Sequence, residues 1–170
     1  MKSSTLILVI ISMILLSCGT KNGATLTDSE KEVIKSEIAP LMKQIVQNSE
    51  SGNLDKAIEP YSNTSEFVSI SNGQVSDYNK FVEGNKQYFD VMGSQSFNQT
   101  IMNFTFINKD NVIVTWGGSA LAKMKDKQQI KVDPFAASLV FNKRDGSWKV
   151  IYSHESAVFT PVVNDSINLK

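Results

Sequence analysis

Lys143-Arg-Asp-Gly-Ser-Trp-Lys-Val-Ile-Tyr-Ser-His-Glu-Ser156 reads as a tight turn followed by a strand. Asp145-Gly146 is a hairpin dipeptide, because both residue types tolerate the positive φ that a type I′ turn requires. Side chains alternate across a strand, so Trp148, Val150, Tyr152, His154 and Ser156 are expected on one face. Lys149, Ile151, Ser153 and Glu155 are expected on the other. The first set is bulky and mostly apolar, which should turn it toward helices or a cavity.

Upstream of this hairpin, β-branched and aromatic residues predict strands near 97–107, 111–123, 128–143 and 147–159. Their connectors, around Lys109-Asp110, Asp126 and Asp145-Gly146, are too short to hold crossover helices, so the strands form an antiparallel meander. Val112, Val114 and Trp116 share one face of their strand, and Phe135, Ala137, Leu139 and Phe141 one face of theirs. Pro134 lacks an N–H and marks a bulge or an edge.

The first half of the chain is helical in texture. Thr27-Asp-Ser-Glu30 has the form of a capping box, and Val33, Ile34, Ile38, Leu41, Met42, Ile45 and Val46 follow at helical spacing to about Asn48. Pro40 is expected to kink or divide this helix. Leu54, Ala57 and Ile58 suggest a short second helix ended by Pro60. Glu66 to Ser71 reads as a strand closed by Asn72-Gly73, and Ser76 is placed to cap a third helix carrying Tyr78, Phe81, Val82, Phe89 and Met92. The layout is therefore α+β, with helices first and a meander last.

Ahead of the domain, Lys2 precedes the apolar run Thr5–Leu16, then Ser17, Cys18 and Gly19. A positive start, a short apolar stretch and a small-residue junction make a secretory signal. The run is too short to span a bilayer. Leu15-Leu16-Ser17-Cys18 resembles the bacterial lipobox, which implies removal of residues 1–17 and acylation of Cys18. The alternative is an ordinary secreted protein with Cys18 as a free thiol, a liability in an oxidising compartment. Residues 18–26 read as a flexible tether, 27–160 as the domain and 161–170 as a tail. Asp is absent just after Cys18, which by resemblance to enterobacterial sorting rules points to the outer membrane, with the domain facing the periplasm.

The 170 residues include 17 basic and 17 acidic side chains, one His and one Cys. A neutral balance gives no footprint for nucleic acid. One cysteine excludes an internal disulfide, and one histidine excludes a multi-histidine metal site; no cofactor or metal is expected. No phosphate-binding glycine loop, G-x-S-x-G elbow or H-E-x-x-H helix is present.

Gly52-Asn-Leu-Asp-Lys-Ala57 and Tyr61 early, with the Asp-Gly-x-Trp hairpin, His154 and Ser156 late, resemble the SnoaL-like, nuclear transport factor 2-like superfamily. The resemblance implies a cystatin-like cone, in which three helices pack in the concave face of a curved antiparallel sheet around a largely apolar pocket. It also implies that many members dimerise through the outer sheet face. Some catalyse isomerase, cyclase or dehydratase reactions, and others bind or assemble without chemistry.

The expected pocket comprises Tyr61, Phe67, Phe81, Phe89, Trp116, Phe135, Tyr152 and His154. His154 is a candidate general base, and Tyr152 or Tyr61 a candidate oxyanion partner. Asp133 and Asp90 are the nearest candidates for a second acid, yet both fall at element ends. Ala136 stands where relatives often carry a basic residue. With no matched acid and base, the sequence favours an envelope domain, tethered to the membrane through Cys18, that binds a small apolar ligand or a partner without catalysis. The alternatives are an enzyme using His154 with Tyr61 or Tyr152, and a homodimeric assembly module.

Overall fold

The structure is a computed structural model and describes residues 25–162. The expected signal sequence, Cys18 and most of the expected tail lie outside the described residues.

The Thr27 capping box forms as the sequence predicts. The Thr27 hydroxyl accepts from Glu30 N–H, and the Glu30 carboxylate accepts from Thr27 N–H. Helix α1 (Asp28–Glu50) then runs unbroken through Pro40. Its buried stripe is Ile34, Ile38 and Met42, while Pro40 lies on the exposed side, where water can satisfy the carbonyl that proline leaves unpaired. Helix α2 (Leu54–Ile58) is capped by Asn53. Helix α3 (Tyr78–Val91) is capped by Asp77, which accepts from Lys80 N–H at 2.9 Å, and not by Ser76. Ser76 instead ends a short strand that the sequence does not announce.

That strand, β2 (Gln74–Ser76), pairs with β1 (Val68–Ser71) across Asn72-Gly73, both at positive φ. The long strands are β3 (Met92–Asn108), β4 (Asn111–Met124), β5 (Gln129–Arg144) and β6 (Ser147–Pro161). They join β1 and β2 in one six-stranded sheet, ordered β2-β1-β6-β5-β4-β3. The sheet is mixed, because β1 runs parallel to β6. Parallel pairing is possible because α3 and four strands separate β1 from β6 in sequence.

Among the register slips of the sheet, two bear on its curvature. Register slips between Gln99 and Ile101 of β3, where Gly118 of β4 lies so close to the Asn98 carbonyl that a Cβ there would collide with it. A second slip falls between Val132 and Phe135 of β5, at Pro134. The concave face holds the core: Val112, Val114, Phe141 and Val150 are fully buried, and Ile38 of α1 packs on them.

Candidate functional site

A cavity of about 450 Å³ opens between the concave face and the helices. That volume suits a small organic molecule. One wall is aromatic. Phe97, Trp116 and Phe135 meet with ring centroids 5.4–6.1 Å apart, and the Trp116 indole N–H donates to Gln99 Oε1 at 3.1 Å, which fixes the ring. Across from it, Tyr61 stacks at 4.9 Å on Phe81. Phe89 also lines the space, and nearby the Tyr88 hydroxyl donates to Gln95 Oε1 at 2.8 Å.

Strand β6 decides which polar groups enter. Trp148 and Val150 point inward, as alternation requires. Val150 pairs with Phe141 and Tyr152 with Val140, so consecutive residues of β5 meet alternate residues of β6, and Ile151 is the bulged residue. The cause lies on the other side of β6. Val150 gives its N–H to Pro60 and its carbonyl to Ser62 N–H, whereas from Tyr152 onward the neighbour is β1. At the change of partner the strand takes up one extra residue, and every later side chain changes face.

The consequence corrects the expected site. His154 is exposed on the convex face, Tyr152 is half-buried there, and neither lines the cavity. Ser153 and Glu155 point inward instead. Ser153 is fully buried and donates to Ser69 Oγ at 2.9 Å, and Glu155 lines the cavity. Of the other expected residues, Tyr61, Phe81, Phe89, Trp116 and Phe135 reach the cavity wall, while Phe67 is buried in the core behind Tyr61. Asp133 is exposed and paired with Lys131 at 2.8 Å, and Asp90 is exposed, so neither serves as a pocket acid.

Glu155 stands in a cross-strand row on the concave face: Gln74, Ser71, Glu155, Ala137 and Trp116 are successive partners from β2 to β4. The row is polar at one end and aromatic at the other. Burial, with no compensating charge or hydrogen bond, raises the Glu155 carboxyl above its ordinary value of 4.5. Burial also raises the Tyr61 phenol, and the charge of Glu155 adds to that rise. Tyr61 is therefore a neutral donor at physiological pH, and Glu155 a carboxyl that holds a proton more tightly than it would in water. Among the described residues no cluster of three or more His, Cys, Asp or Glu could hold a metal ion.

Residues 38–160 match the SnoaL-like domain. The chain belongs to the SnoaL-like family. Solved structures share its fold at low identity. A hexachlorocyclohexane dehydrochlorinase of LinA type 3 from Novosphingobium barchaimii is 14% identical, with 85% of this chain and 99% of that chain covered and a TM-score of 0.66. A candidate scytalone dehydratase from Novosphingobium aromaticivorans is 12% identical over 81% and 93% of the two chains, at TM-score 0.67. A nuclear transport factor 2-like protein of unknown function from Shewanella oneidensis is 20% identical over 72% and 98%, at TM-score 0.57. No curated protein matches the sequence. The cone foreseen in the sequence is thus the fold of this SnoaL-like domain, with a mixed sheet in place of an antiparallel one.

Nothing in the alternating pattern marks Glu155 as a pocket residue. The available signal is Val150-Ile151-Tyr152, three consecutive apolar residues inside a strand of period two.

Proposed function

We propose that this SnoaL-like domain is a small-molecule enzyme that moves a proton at carbon, with Glu155 as the base and Tyr61 as the hydrogen-bond donor. The carrying observation is a carboxyl with no cation partner inside an apolar cavity that also holds a neutral phenol. A desolvated carboxylate is a stronger base than one in water, and its protonated form can return the proton. A phenol beside it stabilises the oxyanion that grows as the proton leaves a carbon next to a carbonyl. The aromatic wall binds the apolar body of the substrate and excludes water.

The preference for a binder without catalysis rested on the lack of an acid and base in one place; Glu155 and Tyr61 supply that pair. Structural relatives named as a dehydrochlorinase and a candidate dehydratase support the reading, since both names denote eliminations. We further propose that Cys18 is lipidated and holds the domain to the cell envelope, facing the periplasm, with the outer membrane as its site. Lipidation rests on Leu15 to Cys18, and the outer membrane on Gly19 standing where Asp would otherwise follow Cys18.

The test is deuterium exchange into 2-tetralone, an enolisable aromatic ketone. The wild-type chain should accelerate exchange at the α-carbon, Glu155→Gln should lose about 10²–10⁴ of that rate, and His154→Ala should keep it. Equal rates in wild type and Glu155→Gln would overturn the assignment. Saturable binding of the ketone without exchange would restore the binder.

A further inference from the structure

Strand β3 is an edge of the sheet, 17 residues long. From Met92 to Asn108 it contains no charged residue and no proline, in a chain that is 20% charged. Charges and prolines are how proteins blunt an exposed edge. The first half of this edge is protected otherwise: Glu50 at the end of α1 accepts the Phe97 N–H at 2.8 Å, so that N–H, turned away from β4, is satisfied. Beyond the bulge at Gln99–Ile101 no such cover exists. Among the described residues, the only backbone partner of Ile101–Ile107 is β4. Ile101 and Ile107 are 47% and 59% exposed.

The geometry points to a second copy of this chain as the occupant of that edge. Two β3 strands would pair antiparallel about a two-fold axis through Asn103, joining two six-stranded sheets into one. The segment is complementary to itself in that arrangement. Met102 of each copy lies opposite Phe104 of the other on the concave side, where both already pack toward the core. Ile101 lies opposite Thr105 on the convex side, and Asn103 meets its own copy. No charge faces a like charge, and a two-fold interface uses the same patch on both partners. This edge contact is distinct from a dimer through the outer face of the sheet, where His154 and Ser156 lie.

Sedimentation of the full chain in mild detergent tests it. The wild type should have twice the mass of one chain. Asn103→Lys, an exposed position, places two ammonium groups opposite each other and should raise the dimer dissociation constant about tenfold or more, with the circular dichroism spectrum unchanged. Ser156→Lys on the convex face should leave the dimer intact. As a second measurement, Asn103→Cys in a Cys18→Ser background should form a disulfide-linked dimer on mild oxidation. A wild-type chain that sediments as a monomer overturns the proposal, as does a dimer that resists Asn103→Lys or one that Ser156→Lys dissociates. A wild-type chain carrying a different polypeptide on this edge overturns it too.

Discussion

Glu155 and Tyr61 face one cavity from neighbouring stretches of backbone, and the charge of the first strengthens the hold of the second on its proton. Tyr61 is placed by its bridge to Val150, and Glu155 by the bulged Ile151 that follows. One local event in β6 thus positions both groups. If the phenol acts only through its hydroxyl, Tyr61→Phe keeps the ring that stacks on Phe81 and removes the donor. Exchange of 2-tetralone should fall about 10- to 1,000-fold while ketone affinity, read by fluorescence quenching of Trp116, stays within a factor of about three. Loss of affinity with an unchanged rate would make Tyr61 a packing residue.

The raised Glu155 carboxyl also predicts a pH dependence of stability. Because burial favours its protonated form in the folded state, the wild type is unpenalised below the ordinary carboxyl value of 4.5 and loses stability as pH rises through the elevated folded value. Glu155→Gln has no charge to desolvate. Thermal melts should therefore coincide at acid pH and separate as pH rises toward neutrality, with the variant the more stable. A difference that shrinks as pH rises would show Glu155 to be stabilised by its surroundings.

Gly118 is predicted to be irreplaceable for steric reasons. A methyl group there meets the Asn98 carbonyl and the Gln99 backbone, neither of which can move without undoing the bulge that bends β3 over β4. Gly118→Ala should cost about 2 kcal/mol or more in urea unfolding, whereas Gly84→Ala on α3, with open space around it, should stabilise or be neutral. Equal effects would remove Gly118 from the account of sheet curvature.

Anchoring through Cys18 predicts a change of fraction. The wild-type chain expressed in a bacterium should sediment with membranes and enter the detergent phase, and Cys18→Ser should be lost from both. A Cys18→Ser chain that stays with the membranes would assign the attachment to something other than the lipid.

Much of the fold is legible along the chain because its signals are local. The Thr27 capping box, the Asn72-Gly73 and Asp145-Gly146 turns and the concave stripes of β4 and β5 each depend on residues a few positions apart. The parallel pairing of β1 with β6 joins segments 84 residues apart, as in Ser69 with Ser153, and no local pattern encodes it. The site suffered most from this. Alternation through Trp148 and Val150 is a correct guide until β6 exchanges residues 60–62 for β1 as its neighbour, and the extra residue there turns His154 out and Glu155 in. Trp116 and Phe135 of the wall are legible because each shares a strand face with core residues, whereas nothing in the sequence sets Phe97 apart as their partner.

The inward turn of Glu155 is most directly measured by carbon-detected NMR titration of its side-chain carboxyl, assigned by comparison with Glu155→Gln. The carboxyl should titrate above the ordinary glutamate value of 4.5, and its chemical shift should respond to 2-tetralone. A carboxyl that titrates at or below that ordinary value and ignores the ketone would place Glu155 in water, and the proton-transfer account would fall with it.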